Sequence, residues 1–233
     1  LHFVREKLNA NYVAGNFNTT ANNVIICEQG GYNSSSYRSL LSYAMNHDMR
    51  KKEYYDYVCS QIDVDNYIDY MVAQMFIANT DNGNVRFFKI GNGKWRWILY
   101  DTDLSFYDSS INSMVSHLNP NYIGSNDSTS KTLAVCLLKN PEFKEKFIRR
   151  MAWQMENIWT EENVVSRVDE IEAMISQDMI KDCRRWGTSY SYWQSCVNTL
   201  RRYVRNRRVR FPAFVKSYFG LTDAQMAEYG FPV

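Results

Sequence analysis

Between Asn79 and Leu104 the chain reads NTDNGNVRFFKIGNGKWRWILYDTDL, and this run constrains the fold more than any other. Val85 to Ile90 and Lys94 to Tyr100 are rich in β-branched and aromatic residues, with Gly91-Asn92-Gly93 between them. That pattern predicts a β-hairpin. The preceding residues, Asn79 to Asn84, favour turns and tolerate left-handed backbone. Before them, Tyr67, Tyr70, Met71, Met75 and Ala78 recur at three- and four-residue steps, which predicts a buried helix over 65–78. Asp63 and Asp65 suit the positive end of that helix. A hairpin mounted on a buried helix brings Asp81 and Asn84, at its mouth, toward Asp101 and Asp103, at its exit.

Those oxygen-rich ends allow several chemistries. If strand geometry persists through Asp103, the side chains of Asp101 and Asp103 share one side. Two such carboxylates repel unless a cation or proton lies between them. A divalent metal is one reading; a pair that caps the turn or meets Arg or Lys is the other. Asp81 reads either as an acid for base or metal work or as a turn residue. Asn84 either completes a metal shell or caps the hairpin. Magnesium takes carboxylate, phosphate and water oxygens. Protein kinases use the order Asp, Asn, Asp for their catalytic loop and metal ligands, and phosphoryl transfer asks mainly for positioning and neutralisation. A glycosidase also needs two carboxyls, but neither the Asn nor the hairpin order.

With 233 residues the chain suits a single domain with a substantial core. Its net charge of +2 exerts no global pull on nucleic acid. No apolar run approaches the roughly 18 residues of a membrane span. The 17 Tyr, 12 Phe and 6 Trp read as core filling, with sugar or base stacking as the rarer use. Cys27, Cys59, Cys136, Cys183 and Cys196 lack metal spacing and read as free thiols, Cys183 and Cys196 being a conceivable pair. His2, His47 and His117 are isolated.

Further elements are predicted as a helix over 1–13, an extended run from Asn23 to Cys27, helices over 37–46 and 52–59, a polar loop over 107–131, and helices over 132–139, 141–159, 160–181 and 192–219. The last carries Arg201, Arg202, Arg205, Arg207, Arg208 and Arg210, a basic face that suits either acidic partners within the protein or an acidic substrate. The expected fold is α+β and mostly helical, with a hairpin-bearing half (1–106), a mobile loop (107–131) and a helical half (132–233).

Three stretches carry a family resemblance: Ile62 to Tyr70; Ala78 to Asp81 with Asn84; and Lys94-Trp95-Arg96-Trp97-Ile98-Leu99-Tyr100-Asp101-Thr102-Asp103. Together they resemble the spore-coat protein H (CotH) kinase family. Arg5-Glu6-Lys7-Leu8 is similar to that family's REK-type helix, and Arg185-Trp186, Trp193 and the Arg-rich helix are similar to its C-terminal helices. The resemblance implies an atypical protein-kinase-like catalytic lobe with a C-terminal helical bundle. It implies transfer of the ATP γ-phosphate, with Mg²⁺ or Mn²⁺, to Ser or Thr of secreted, coat or envelope proteins. Asp81 takes the catalytic place, Asn84 and Asp101 the nucleotide-holding places, and Asp81, Asn84, Asp101 and Asp103 the metal. A non-catalytic envelope or adhesion module on the same fold is the competing implication. Family members carry a β-rich lobe upstream, so the sequence is expected to be part of a longer protein. Asp81-Asn82-Gly83-Asn84 is also shorter than the family's usual Asp-Trp-Pro-Gly-Asn-Asn.

Overall fold

The computed structural model describes residues 5–28, 34–81, 84–118 and 129–232. The sheet has three antiparallel strands in the order β1 (Val24–Glu28), β2 (Arg86–Ile90), β3 (Arg96–Ile98). Val24 pairs with Ile90 and Glu28 with Arg86; Arg86 pairs in turn with Ile98. The expected hairpin is therefore present, and the run after Asn23 becomes its third strand. Gly91 closes the turn at φ 51°, in the left-handed region that favours glycine. Its N–H donates to the carbonyl of Asn23 at 2.8 Å.

Among the described residues the first helix is α1 (Ala10–Asn16), where the sequence predicts one over 1–13. The side chain of Asn9 accepts the N–H groups of Asn11 and Tyr12, which fixes the start. Residues 5–8 are not helical, and the Leu8 carbonyl accepts from Arg86 on β2 instead. Residues 1–4 lie outside the described residues.

Helices α2 (Ser35–Asn46), α3 (Lys52–Gln61) and α4 (Val64–Phe76) follow the predicted pattern. Nine residues of α4 are buried, and it packs against β3, α7 (Pro141–Asn157) and α5 (Ser113–Leu118). The sheet edge is sealed by a side chain. Asn66 of α4 accepts the Trp97 N–H at 2.6 Å and donates to the Trp97 carbonyl at 3.1 Å, acting as one more rung of the ladder. Tyr37, Tyr67, Phe87, Trp95 and Trp97 stack into the core, with ring centroids 4.3 Å apart for Tyr37–Phe87 and 4.4 Å for Tyr67–Trp97. The aromatics thus serve mainly as core.

The expected loop over 107–131 is partly helix. Met114 and Leu118, four apart, bury one face of α5, which also sinks Ser113 and His117. Residues 119–128 lie outside the described residues, and α6 (Thr129–Leu137) begins earlier than predicted. Helices α8 (Glu161–Trp186) and α9 (Tyr190–Phe219) form a long packed pair; α8 runs five residues further at its C-terminus and α9 starts two residues earlier than the sequence predicts. Pro212 stands inside α9. A capping box at Thr222 starts α10 (Asp223–Tyr229).

Much of the basic face of α9 meets acids, as one of its two readings expected. Arg201 pairs with Asp169 at 2.6 Å, Arg205 with Glu161 at 2.5 Å and Arg208 with Glu156 at 3.0 Å. Such exposed pairs contribute about 0–1 kcal/mol each. Arg202 and Arg210 donate instead to the hydroxyls of Thr199 and Ser109, and Arg207 differs from all of them in being fully buried. All five cysteines are free thiols, so Cys183 and Cys196 do not pair. No helix among the described residues is long and apolar enough to cross a membrane.

Candidate active site

The loop that carries Asp81 is shaped by how α4 ends. Ala78 adopts φ 50°, a left-handed residue where glycine is usual. Its N–H reaches the Met75 carbonyl at 3.3 Å, and the next N–H, from Asn79, reaches Gln74 at 3.1 Å. This paired 5→2 and 6→1 closure is a Schellman motif. The side chain of Asn79 is 2% exposed. It donates to Gln74 Oε1 at 2.9 Å and accepts the Asp81 N–H at 3.0 Å, so it sets the backbone from which Asp81 projects.

The second segment is shaped by the exit from β3. That strand ends at Ile98, and Asp101 takes φ 53°. Aspartate tolerates this left-handed geometry better than most residues. The alternation of a strand is lost there, so Asp101 and Asp103 do not share a side in the way a continuing strand would arrange them. Two backbone hydrogen bonds then lace the segments together. Thr80 N–H donates to the Leu104 carbonyl at 3.0 Å, and Phe106 N–H to the Ile77 carbonyl at 3.0 Å.

Asn84 lies where the two segments meet. Its Nδ2 donates to Asp81 Oδ2 at 2.7 Å and to Asp101 Oδ2 at 2.6 Å. One amide therefore bridges two carboxylates contributed by distant turns. Charge-assisted hydrogen bonds of this kind are worth about 1.5–3 kcal/mol when shielded from water, and they offset the repulsion between the acids. All three residues are half-buried. Asp103 is exposed and hydrogen-bonds none of them among the described residues. Three of the four anticipated acidic-site residues are thus joined by hydrogen bonds, and Asp103 stands outside that hydrogen-bonded trio.

Beside the cluster, Arg86 lies 4.9 Å over the Tyr100 ring and pairs with Glu28 at 2.9 Å. Burial raises the Tyr100 phenol above its ordinary value, and the Arg86 charge opposes that rise. Leu99, two residues before Asp101, lines a groove of about 360 Å³ with Asp69, Trp97, Arg150, Trp153 and Trp159. Asp69 is held on the wall of this groove by Arg150 at 2.5 and 2.8 Å and by Gln154 at 2.8 Å.

The donor set decides what the cluster can hold. Asp81 and Asp101 offer hard carboxylate oxygens, and a half-turn of the Asn84 amide would present Oδ1 in place of Nδ2. Such a set fits Mg²⁺ or Mn²⁺ whose remaining positions are filled by water and phosphate. No group of three His, Cys, Asp or Glu side chains among the described residues is placed to hold a metal by itself. Asn79 and Gln74 are not singled out by the sequence patterns above, although their polar side chains stand on or beside the otherwise apolar end of α4. A buried amide at such a place is the signal that would have singled them out.

A family model described as CotH kinase protein matches residues 6–210, most of the chain. No curated protein and no solved structure matches it.

Proposed function

Because this chain belongs to the CotH kinase family, we propose that it is a metal-dependent, kinase-like phosphotransferase. In this reading it moves the γ-phosphate of ATP to a Ser or Thr hydroxyl of a secreted, coat or envelope protein. The observation that carries the proposal is the Asn84 bridge, which brings Asp81 and Asp101 onto one amide from opposite ends of the hairpin. Neither an isolated turn aspartate nor a helix cap calls for that convergence.

Asp81 is the catalytic acid-base group. It orients the acceptor hydroxyl and takes its proton as the new oxygen–phosphorus bond forms and the bond to the departing ADP oxygen breaks. Asn84 and Asp101 would hold Mg²⁺ or Mn²⁺ and with it the nucleotide, with Asp81 able to share the ion. When bound, that ion supplies neutralisation of phosphate charge. Asp103, exposed and outside the hydrogen-bonded trio, is left out of the set. Asn79 contributes by fixing the Asp81 backbone. The groove beside Leu99 gives nucleotide or acceptor an adjacent concave surface with aromatic walls.

Thermal melts with Mn²⁺, with and without ATP, test this on the chain and on Asp101→Ala. A ligand present at 100 times its dissociation constant adds about 2.7 kcal/mol, roughly 5–10 °C for a chain of this size. The expected result is a metal-dependent ATP shift that Asp101→Ala abolishes. A shift that survives the substitution places the nucleotide elsewhere. No shift in the intact chain favours the binding-module reading.

A further inference from the structure

Arg207 of α9 is fully buried, and no carboxylate is among its hydrogen-bond acceptors. A guanidinium has five N–H donors in a planar fork, and here every one is used. Nε donates to the Phe76 carbonyl at 2.8 Å. One terminal nitrogen donates to the carbonyls of Ser109 at 3.0 Å and Ile111 at 2.6 Å. The other donates to the Met75 carbonyl at 2.6 Å and to Ser113 Oγ at 2.7 Å. Phe76 and Met75 are the last residues of α4, whose C-terminal carbonyls form the negative end of the helix dipole. The charge is therefore met by peptide dipoles, with Asp108 the acid whose field reaches it.

Burying a cation this way is expensive, and an apolar side chain would pack at lower cost. The acceptors explain what the guanidinium does. Met75 and Phe76 lead into the turn that carries Asp81, while Ser109, Ile111 and Ser113 follow the turn that carries Asp101. Tyr203, one helical turn earlier on α9, repeats the arrangement. Its hydroxyl donates to the Phe76 carbonyl at 2.7 Å, and its ring lies 5.0 Å from that of Phe106. Phe76 lies five residues before Asp81, and Phe106 five residues after Asp101.

We infer that Arg207 and Tyr203 are positioning residues that set the separation of Asp81 and Asp101 by clipping both acid-bearing segments to α9. The inference rests on the phosphotransferase reading for its consequence in catalysis, though the clip itself does not. Neither residue touches the acids. They act through the α4 terminus and through the Thr80–Leu104 and Phe106–Ile77 hydrogen bonds. Lysine cannot replace the arginine, since three donors on a tetrahedral nitrogen cannot serve five acceptors spread around a plane. Misplacement of a reacting group by about 1 Å costs on the order of a hundredfold in rate.

The test compares wild type, Arg207→Lys and Tyr203→Phe by site-resolved hydrogen exchange and by Mn²⁺-dependent ATP turnover. In both variants the Thr80 and Phe106 amides are expected to exchange about tenfold faster or more, with α2 and α3 unchanged. Turnover falls through kcat, while KM for ATP changes little. Faster exchange spread evenly over all helices, or unchanged exchange at Thr80 and Phe106, overturns the clip. If Arg207→Lys does not fold, Tyr203→Phe decides, since it loses one hydroxyl. If wild type turns over no ATP, the proposed function fails, and the exchange measurement alone judges the clip.

Discussion

Replacing Asn84 with Asp tests the acid cluster by turning its bridge into a third charge. In the native cluster the amide nitrogen donates to Asp81 at 2.7 Å and to Asp101 at 2.6 Å. Both hydrogen bonds are lost in Asn84→Asp. Fully shielded, they would be worth about 1.5–3 kcal/mol each; the cluster is only half-buried, so about 1 kcal/mol each is the sounder figure. The new carboxylate also faces two existing ones. At the fully aqueous limit, two unit charges 4 Å apart repel by about 1 kcal/mol, which adds about 2 kcal/mol for the two neighbours. The total loss is about 4 kcal/mol, or roughly 8–16 °C in melting temperature for a chain of this size. Asn84→Ala loses the hydrogen bonds without adding a charge, so it falls by about half as much. The assay is differential scanning calorimetry of all three proteins without metal and with Mn²⁺. Saturating Mn²⁺ restores Asn84→Asp preferentially, because the variant offers a third carboxylate to a hard cation. An Asn84→Asp melting temperature within about 2 °C of wild type without metal would refute the reasoning, since the three side chains could not then be in contact.

His117 provides a pH test. It is fully buried in α5, and burial first, then the neighbouring Lys131 and Arg207 charges, lower its pKa from 6.5 to about 3. The unfolded ring binds a proton below pH 6.5 and the folded ring does not until about pH 3, so this contribution is intact above pH 6.5 and is lost as pH falls through that window. The slope is about 1.4 kcal/mol per pH unit. Urea midpoints at pH 4.5 and 6.5 should differ less in His117→Gln than in wild type, and parallel profiles would count against the assignment. Thiol accessibility gives a separate check. Cys196 is exposed, whereas Cys27, Cys136 and Cys183 are buried, and burial pushes the Cys27 thiol up to about 11. Ellman titration of the native protein at pH 8 should show a fast phase that Cys196→Ser removes; an unchanged fast phase would place the reactive thiol elsewhere.

What the sequence disclosed follows from how local each signal is. The burial of α4 was written in its periodic apolar residues, and the hairpin in its turn glycines, because both depend on near neighbours. The approach of Asp81 to Asn84 was similarly visible, three residues apart in one turn. The place of Asp103 outside the hydrogen-bonded trio was not. It depends on β3 ending at Ile98 and on the left-handed Asp101, which tertiary contacts decide. The polar stretch around Ser113 hid a helix because only Met114 and Leu118 mark its buried face. Arg207 was hidden among like residues, although Val204, Phe211 and Val215 trace the buried stripe of α9 and Arg207 falls within it. A charge on an apolar stripe was the available clue, and composition alone treated it as one of six equivalent arginines.

The clip between α9 and α4 also has a consequence in time. Arg207 lies 131 residues after Phe76, whose carbonyl it caps. At synthesis rates of about 5–20 residues per second, the end of α4 leaves the ribosome on the order of ten seconds before its partner exists. Throughout that interval the carbonyl of Phe76, whose side-chain donors Tyr203 and Arg207 both belong to α9, must be served by water. The first half of the nascent chain can form its sheet and bury its aromatic cluster, yet it cannot lock the Asp81 turn. The acid cluster is therefore completed late in the protein's birth, when the second half folds back upon the first.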